Sequence, residues 1–272
     1  MRHPFFLSPR PLLFAHRGGS GIAPENTLAA FDRAVRLGVD GLELDVRFSR
    51  DRLVVVHHDA SLARTTDRTV PVATLSADEL ARVDAGWHFQ PSGPDAPAPF
   101  RGQGCGVPTF KEVLRRYRDA RIIVELKLNE PALARGVLAD VRDAAAEDRV
   151  CLASFGCRVL REARRLAPHV ATSAAREEVR WALYRSWLRW PVSRVAYSGY
   201  QVPETSGVSR IVSPRFVRHA HDAGLGVQVW TVDDPETARR LLAWGVDALI
   251  SDRPDRLQTI VAGHHRKPSA AE

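Results

Sequence analysis

Short apolar runs rich in β-branched residues recur along the chain, and between them apolar side chains return every three or four positions. Leu12 to Ala15, Gly41 to Val46, Ile122 to Lys127, Val150 to Ser154, Val170 to Ser173, Arg194 to Tyr197, Val227 to Thr231 and Ala248 to Ser251 have the length and content of buried strands. Helical spacing fits Leu28 to Leu37, Pro131 to Ala146, Cys157 to Leu166, Pro214 to Ala223 and Pro235 to Trp244. Asn26 reads as the N-cap of the first helix and Gly38 as its stop. Eight strands alternating with helices over 272 residues predict a closed TIM (β/α)8 barrel rather than an open doubly wound sheet.

Leu53 to His57 breaks the alternation, because it follows the second strand too closely for a crossover helix and must return as an antiparallel hairpin arm. A turn centred on Arg50-Asp51 would set Glu43 opposite His58, on one face of the ladder, and turn His57 away. From about 60 to 107 the pattern is not barrel-like: Leu75 to Leu80 starts a short helix, and Gln90 to Gly106 is crowded with proline and glycine. This insertion is expected to cap the face built by the loops after the strands, with a disordered surface loop as the alternative for Gln90 to Gly106. One domain over 1–262 is expected, with a leader before the first strand and a polar tail at 263–272.

Composition narrows the partners. A 44% hydrophobic content supports a large core, and the net charge of +7 comes from scattered arginines rather than basic runs, which argues against a nucleic-acid surface. Cys105, Cys151 and Cys157 lack metal-site or disulfide-framework spacing, so a reducing, cytoplasmic setting fits. No apolar run reaches membrane-span length. Trp181, Tyr184, Trp187 and Trp190, interleaved with Arg180, Arg185 and Arg189, read first as helix-to-barrel packing, with weak contact to a membrane surface as the alternative.

Candidate chemistry gathers at strand ends, where parallel α/β folds place it. Alternation puts Glu43 and Asp45 on one strand face with Leu44 on the other, and Glu125-Leu126-Lys127 repeats the arrangement with an ammonium. Carboxylates converging at a barrel mouth repel one another unless a cation neutralises them, and an all-oxygen set suits magnesium or calcium better than zinc. His16 and His58 at the same mouth suit general acid and base work. Arg17 and Lys127 add positive charge for an anionic substrate. Together these groups meet the needs of phosphodiester cleavage. Asp252 reads as a helix cap and Ser154 as a loop residue, with a place lining the site as the alternative for each.

The blocks HRGGSGIAPENTLAAF, GLELDV, VVVHHD, PTFKEVL, IIVELK, VQVWTVDD and GVDALISDRPD occur in this order between Leu12 and Leu257. This series resembles the glycerophosphodiester phosphodiesterase family. The resemblance implies a TIM barrel that hydrolyses glycerophosphodiesters to sn-glycerol 3-phosphate and an alcohol. It implies that His16 and His58 are the catalytic pair, that Glu43, Asp45 and Glu125 bind one divalent metal, and that Arg17 and Lys127 contact the phosphate. Trp230 matches an aromatic residue of the family's site wall, and the family's histidine directly precedes an aspartate, as His58 precedes Asp59. Asp233 stands where the family often has asparagine, and the segment from Asp67 to Val107 is only weakly similar. A lysophospholipase D and a non-catalytic phosphometabolite-binding barrel are the alternative readings.

Overall fold

The computed structural model describes residues 2–91, 97–192, 195–207 and 209–264. β1 (Leu12–Ala15), α1 (Leu28–Arg36) and β2 (Gly41–Phe48) form the first unit, and β3 (Val54–Val56) folds back antiparallel on β2. After the short α2 (Ala77–Leu80) come α3 (Phe110–Arg116), β4 (Arg121–Leu126), α4 (Pro131–Asp143), β5 (Val150–Ala153), α5 (Cys157–Leu166), β6 (Ala171–Thr172) and α6 (Arg176–Leu188). The chain continues through β7 (Gly199–Pro203), a small hairpin of β8 (Thr205–Ser206) and β9 (Ser209–Arg210), and α7 (Pro214–Asp222). It ends with β10 (Gly226–Trp230), α8 (Pro235–Ala243), β11 (Ala248–Ser251) and α9 (Pro254–Ala262).

Eight parallel strands run in the order β6-β5-β4-β2-β1-β11-β10-β7. The two ends meet at a parallel bridge between Ser173 and Gly199, where Ala174 N–H donates to Gly199 O at 2.9 Å, so the sheet comes round into the expected barrel. Outward residues such as Leu42, Leu44, Val124 and Leu152 pack under the helices, while Phe14, Ile123, Cys151 and Ile250 fill the interior. The residues just before β1 pack into the barrel. Phe5 and Phe6 form a short turn, are 1% exposed and belong to the interior cluster with Phe14. A side chain at Gly226 would stand 2.4 Å from the Phe6 ring and one at Gly199 2.7 Å from it, so these glycines let the ring lie against the strand backbones.

The sixth strand candidate is displaced. Arg194 lies outside the described residues, Val195 to Ser198 are irregular, and the strand is β7, paired with β10 from Gly199 opposite Gly226. Its opening glycine and closing proline read as breaks in the sequence, yet here they bound a buried strand. The segment from Ala60 to Val107 also differs from the cap expected of it. Leu62, Val72, Leu80, Val83 and Val107 gather on Val55 of β3, because that face of the hairpin arm is apolar and needs a cover. Residues 92–96, within the proline- and glycine-rich part, and 265–272 of the expected tail lie outside the described residues.

Candidate active site

β1 delivers its chain into a tight turn at the carboxyl end of the barrel. Arg17 adopts the left-handed region at φ 51°, and Gly18 follows at φ 84°. A side chain at Gly18 would stand 2.8 Å from both Ala30 Cβ and Phe31 Cδ1, so glycine lets the turn sit directly on α1. The turn aims Arg17 N–H at Glu43 Oε2, 2.9 Å away, and leaves His16 Nε2 3.7 Å from the same oxygen.

Strand alternation then assembles the carboxylates as expected. Glu43 and Asp45 face the interior from β2, and Glu125 sits on β4 in register with Asp45. One oxygen from each lies within 4.8 Å of the others. Burial pushes the Glu43 carboxyl up to about 8; the His16 charge opposes the shift, and the charges of Asp45 and Glu125 add to it. Burial also disfavours charged Asp45, but Lys127, Arg17, His58 and a hydrogen bond from Asn26 outweigh it and hold that carboxyl low. Asp45 Oδ1 is buried without a hydrogen-bond donor, with Lys127 Nζ 3.3 Å away as an ion pair; Lys127 also meets Glu125 Oε1 at 3.0 Å. An all-oxygen cluster with an orphaned oxygen and one carboxyl driven towards protonation fits a hard divalent cation, which would replace the proton.

The two histidines are built alike. His16 Nδ1 lies 2.6 Å from Asp252 Oδ1, and His58 Nδ1 lies 2.6 Å from Asp59 Oδ1. A carboxylate on Nδ1 favours the proton there and leaves Nε2 as the working nitrogen. Burial pulls the His16 imidazole down, but Glu43 and Asp252 more than compensate and raise it to about 9. Burial likewise opposes ionisation of Asp59, yet hydrogen bonds from Arg64 and His58 bring it to about 2. Arg64 Nε donates to Asp59 at 2.6 Å and its other nitrogens to both oxygens of Glu25 at 2.7 Å, while Glu25 also accepts from Arg17 at 3.1 Å. One chain of ion pairs therefore runs from the His58 carboxylate to the Arg17 guanidinium.

His16, Arg17, Glu43, His58, Glu125 and Lys127 line one side of an open cavity of about 900 Å³. Trp230, at the end of β10, lines it too and meets Phe155 edge-on at 6.1 Å between ring centres. Asp45 is buried beneath that wall at 1% exposure. The fold thus brings all eight predicted residues to one mouth. Among the described residues none of those lining the cavity comes from Ala60 to Val107; Leu183, Tyr184 and Trp187 of α6 form an apolar wall instead.

Three local readings need correction. The hairpin pairs Val46 with Val56 and Phe48 with Val54, one residue off the expected register, because Arg52 takes the left-handed region at φ 62° and adds a residue to the turn. Glu43 therefore does not face His58 across a ladder. β3 ends at Val56, so pleat alternation stops governing the next residues. His58 lines the cavity, while His57 turns to Ser61 O. Asn26 is not the α1 cap: Thr27 accepts from Ala30 N–H, and buried Asn26 donates to Asp45 Oδ2 at 2.9 Å and accepts from Asp45 N–H at 3.2 Å. Asp252 caps no helix; it accepts from Ser20 Oγ as well as binding His16. Its place directly after a barrel strand is the sequence signal for a site residue, which the helix-cap reading passed over. Asp233 Oδ1 accepts from the N–H groups of Asp252 and Arg253 at 2.8 and 3.2 Å and so fixes the loop that presents Asp252. Ser154 is a loop residue that also lines the cavity, with its hydroxyl donating to Leu126 O at 2.8 Å.

A family model described as the glycerophosphoryl diester phosphodiesterase family matches residues 16–256. A glycerophosphodiester phosphodiesterase of Caldanaerobacter subterraneus subsp. tengcongensis is 30% identical over 257 residues, covering 93% of this chain and 98% of its own. The crystal structure of a glycerophosphodiester phosphodiesterase from Agrobacterium tumefaciens superposes with a TM-score of 0.73 at 28% identity, over 92% of this chain and 99% of that one. An Oleispira antarctica phosphodiesterase, solved in complex with the product sn-glycerol-3-phosphate, gives a TM-score of 0.75 at 26% identity, over 93% and 98% of the two chains.

Proposed function

The chain belongs to the glycerophosphoryl diester phosphodiesterase family, and on that premise we propose that it hydrolyses glycerophosphodiesters to sn-glycerol 3-phosphate and an alcohol, with His16 and His58 as the acid and base pair. The observation that carries this reading is the pairing of two carboxylate-backed histidines with a cluster of three acidic residues at one cavity mouth. Glu43, Asp45 and Glu125 hold one divalent cation, magnesium or calcium, which supplies electrophilic polarisation of the phosphate and charge neutralisation. Arg17 and Lys127 bind phosphate oxygens, and Trp230 bounds the substrate. One histidine removes the proton from the attacking hydroxyl and the other protonates the departing alkoxide; the attacker is water, or the substrate's own glycerol hydroxyl, in which case a cyclic phosphate forms that water then opens to glycerol 3-phosphate. Asp252 and Asp59 hold the two rings with Nε2 presented for those transfers. This work belongs to one domain over 1–262, and the unpaired Cys105, Cys151 and Cys157 support a cytoplasmic location.

A metal-titrated assay of glycerol 3-phosphate release across a panel of glycerophosphodiesters tests the reading. Release that chelation abolishes, and that His16→Ala or His58→Ala removes, is the expected result. Wild-type turnover in either variant or after chelation would refute it, and a barrel that only binds its ligand would release nothing from any member. The apolar α6 wall favours one second reading, lysophospholipase D activity on a lipid with a single acyl chain. Comparing turnover of glycerophosphocholine with that of lysophosphatidylcholine separates the two.

A further inference from the structure

Helix α6 is packed the wrong way round for a helix that only covers a barrel. Its fully buried residues are the small Ala182 and Ser186, one turn apart; Val179 and Leu183 are half-buried against the core, whereas its aromatic side chains and Leu188 face out. Trp181 is 67% exposed, Trp187 51%, Leu188 71% and Trp190, just past the helix end, 66%. Helix-to-barrel packing, the first reading of this segment, does not account for them. Trp181, Tyr184 and Trp187 touch edge-to-face, with ring centres 6.3 and 5.6 Å apart, so they form a continuous aromatic ridge.

The charge on this surface is mainly positive, with Glu177 and Glu178 confined to the first turn of α6. From Val179 to Pro203 the sequence contains no aspartate or glutamate, while Arg180, Arg185 and Arg189 interleave with the aromatic residues. The predominantly basic surface continues past the helix end, where Arg189, Arg215, Arg218 and His219, with the single acidic residue Asp222, line a second cavity of about 460 Å³. The ridge also adjoins the catalytic cavity, because Arg180, Tyr184 and Trp187 line its rim. Exposed tryptophan and leucine interleaved with arginine, in a stretch where basic residues outnumber acidic ones, complement an anionic lipid surface: rings enter the boundary between headgroups and acyl chains, and guanidinium groups pair with lipid phosphates. Among the described residues no helix is long and apolar enough to cross a membrane, so such contact would be peripheral.

We propose that α6 seats the protein on an anionic bilayer surface, with Trp181, Leu188 and Trp190 entering the interface and the arginines engaging lipid phosphates, so that the cavity mouth opens beside the lipid. The contact does not depend on the assigned reaction, and its test reads partition rather than turnover. The full chain is floated with vesicles of mixed phosphatidylglycerol and phosphatidylcholine, and with vesicles of phosphatidylcholine alone. Three arginines at about fivefold each predict roughly hundredfold tighter partition onto the mixed vesicles. The triple variant Trp181→Ser, Leu188→Ser and Trp190→Ser keeps every charge and alters only exposed side chains, so its melting temperature stays at the wild-type value. Its partition onto mixed vesicles falls about tenfold or more. Equal partition of wild type and variant would mean attraction through overall charge alone and would overturn the proposal. So would a wild-type dimer in solution that the triple variant abolishes, because a second copy would then be the occupant of this face.

Discussion

Replacing Asp252 by asparagine keeps the shape of the side chain and removes the negative charge 2.6 Å from His16 Nδ1. The amide oxygen can still accept from the ring, so the loss is the difference between a charge-assisted and a neutral hydrogen bond. That difference is about 1–2 kcal/mol, or about 5–30-fold in rate when felt in the transition state. Asp252→Ala removes the whole bond and should cost about 1.5–3 kcal/mol, or about 10–150-fold. Both effects belong in kcat, because Asp252 is not among the residues lining the cavity. The assay is glycerol 3-phosphate release at saturating metal, with KM and melting temperature measured alongside. Asp252 is also one of the causes that raise His16, so the pH limb belonging to His16 should move to lower pH in both variants. If Asp252→Ala keeps kcat within about twofold of wild type at an unchanged melting temperature, the carboxylate does not position His16 and the reasoning fails.

Two further outcomes follow from other contacts. Asn26→Ala strips both hydrogen bonds from the buried Asp45; calcium binding by titration calorimetry should weaken about tenfold, and urea melts should show a loss of about 1–3 kcal/mol. Burial pushes the Asp140 carboxyl up to about 6, with Asp143 adding to the shift and Lys111 and Arg115 opposing it. A raised carboxyl lowers stability as pH rises from its unfolded value through its folded one, so Asp140→Asn should stabilise above pH 6. With solvent screening of this partly exposed group the gain is about 1 kcal/mol, and urea denaturation near pH 4 should show none.

Much of the catalytic wall was legible because its causes are local. Side chains two apart on a strand share a face, which places Glu43 with Asp45 before any coordinate is known. A different alternation, of strands with helices along the chain, predicts parallel strands and a barrel, and a barrel brings the ends of β1, β2 and β4 to one mouth. The hairpin register lay one step beyond that reach. It hinged on whether Arg52 would enter the left-handed region, a choice settled by the fit of the turn to β2 and to the packing around it. The ladder that favours His58 in the sequence does not extend to it; its position comes from the chain leaving β3 and from Asp59, Arg64 and Glu25 holding its ring.

Closure of the sheet decided the rest. Asp252 is 236 positions from His16 and meets it only because β11 pairs with β1 in the closed ring. No local period encodes that distance. The burial of Phe5 and Phe6 has the same origin, since residues before a strand become interior only when eight strands leave a space at the end of a barrel for them. The outward face of α6 was ambiguous for the complementary reason. A stripe of aromatic residues has one appearance whether it faces the barrel or solvent, and the small Ala182 and Ser186 against the barrel turned it outward. Strand and helix periods thus carried the fold and the carboxylate wall, while the partners of His16, the end of the hairpin and the exposed ridge depended on contacts between residues far apart in the chain.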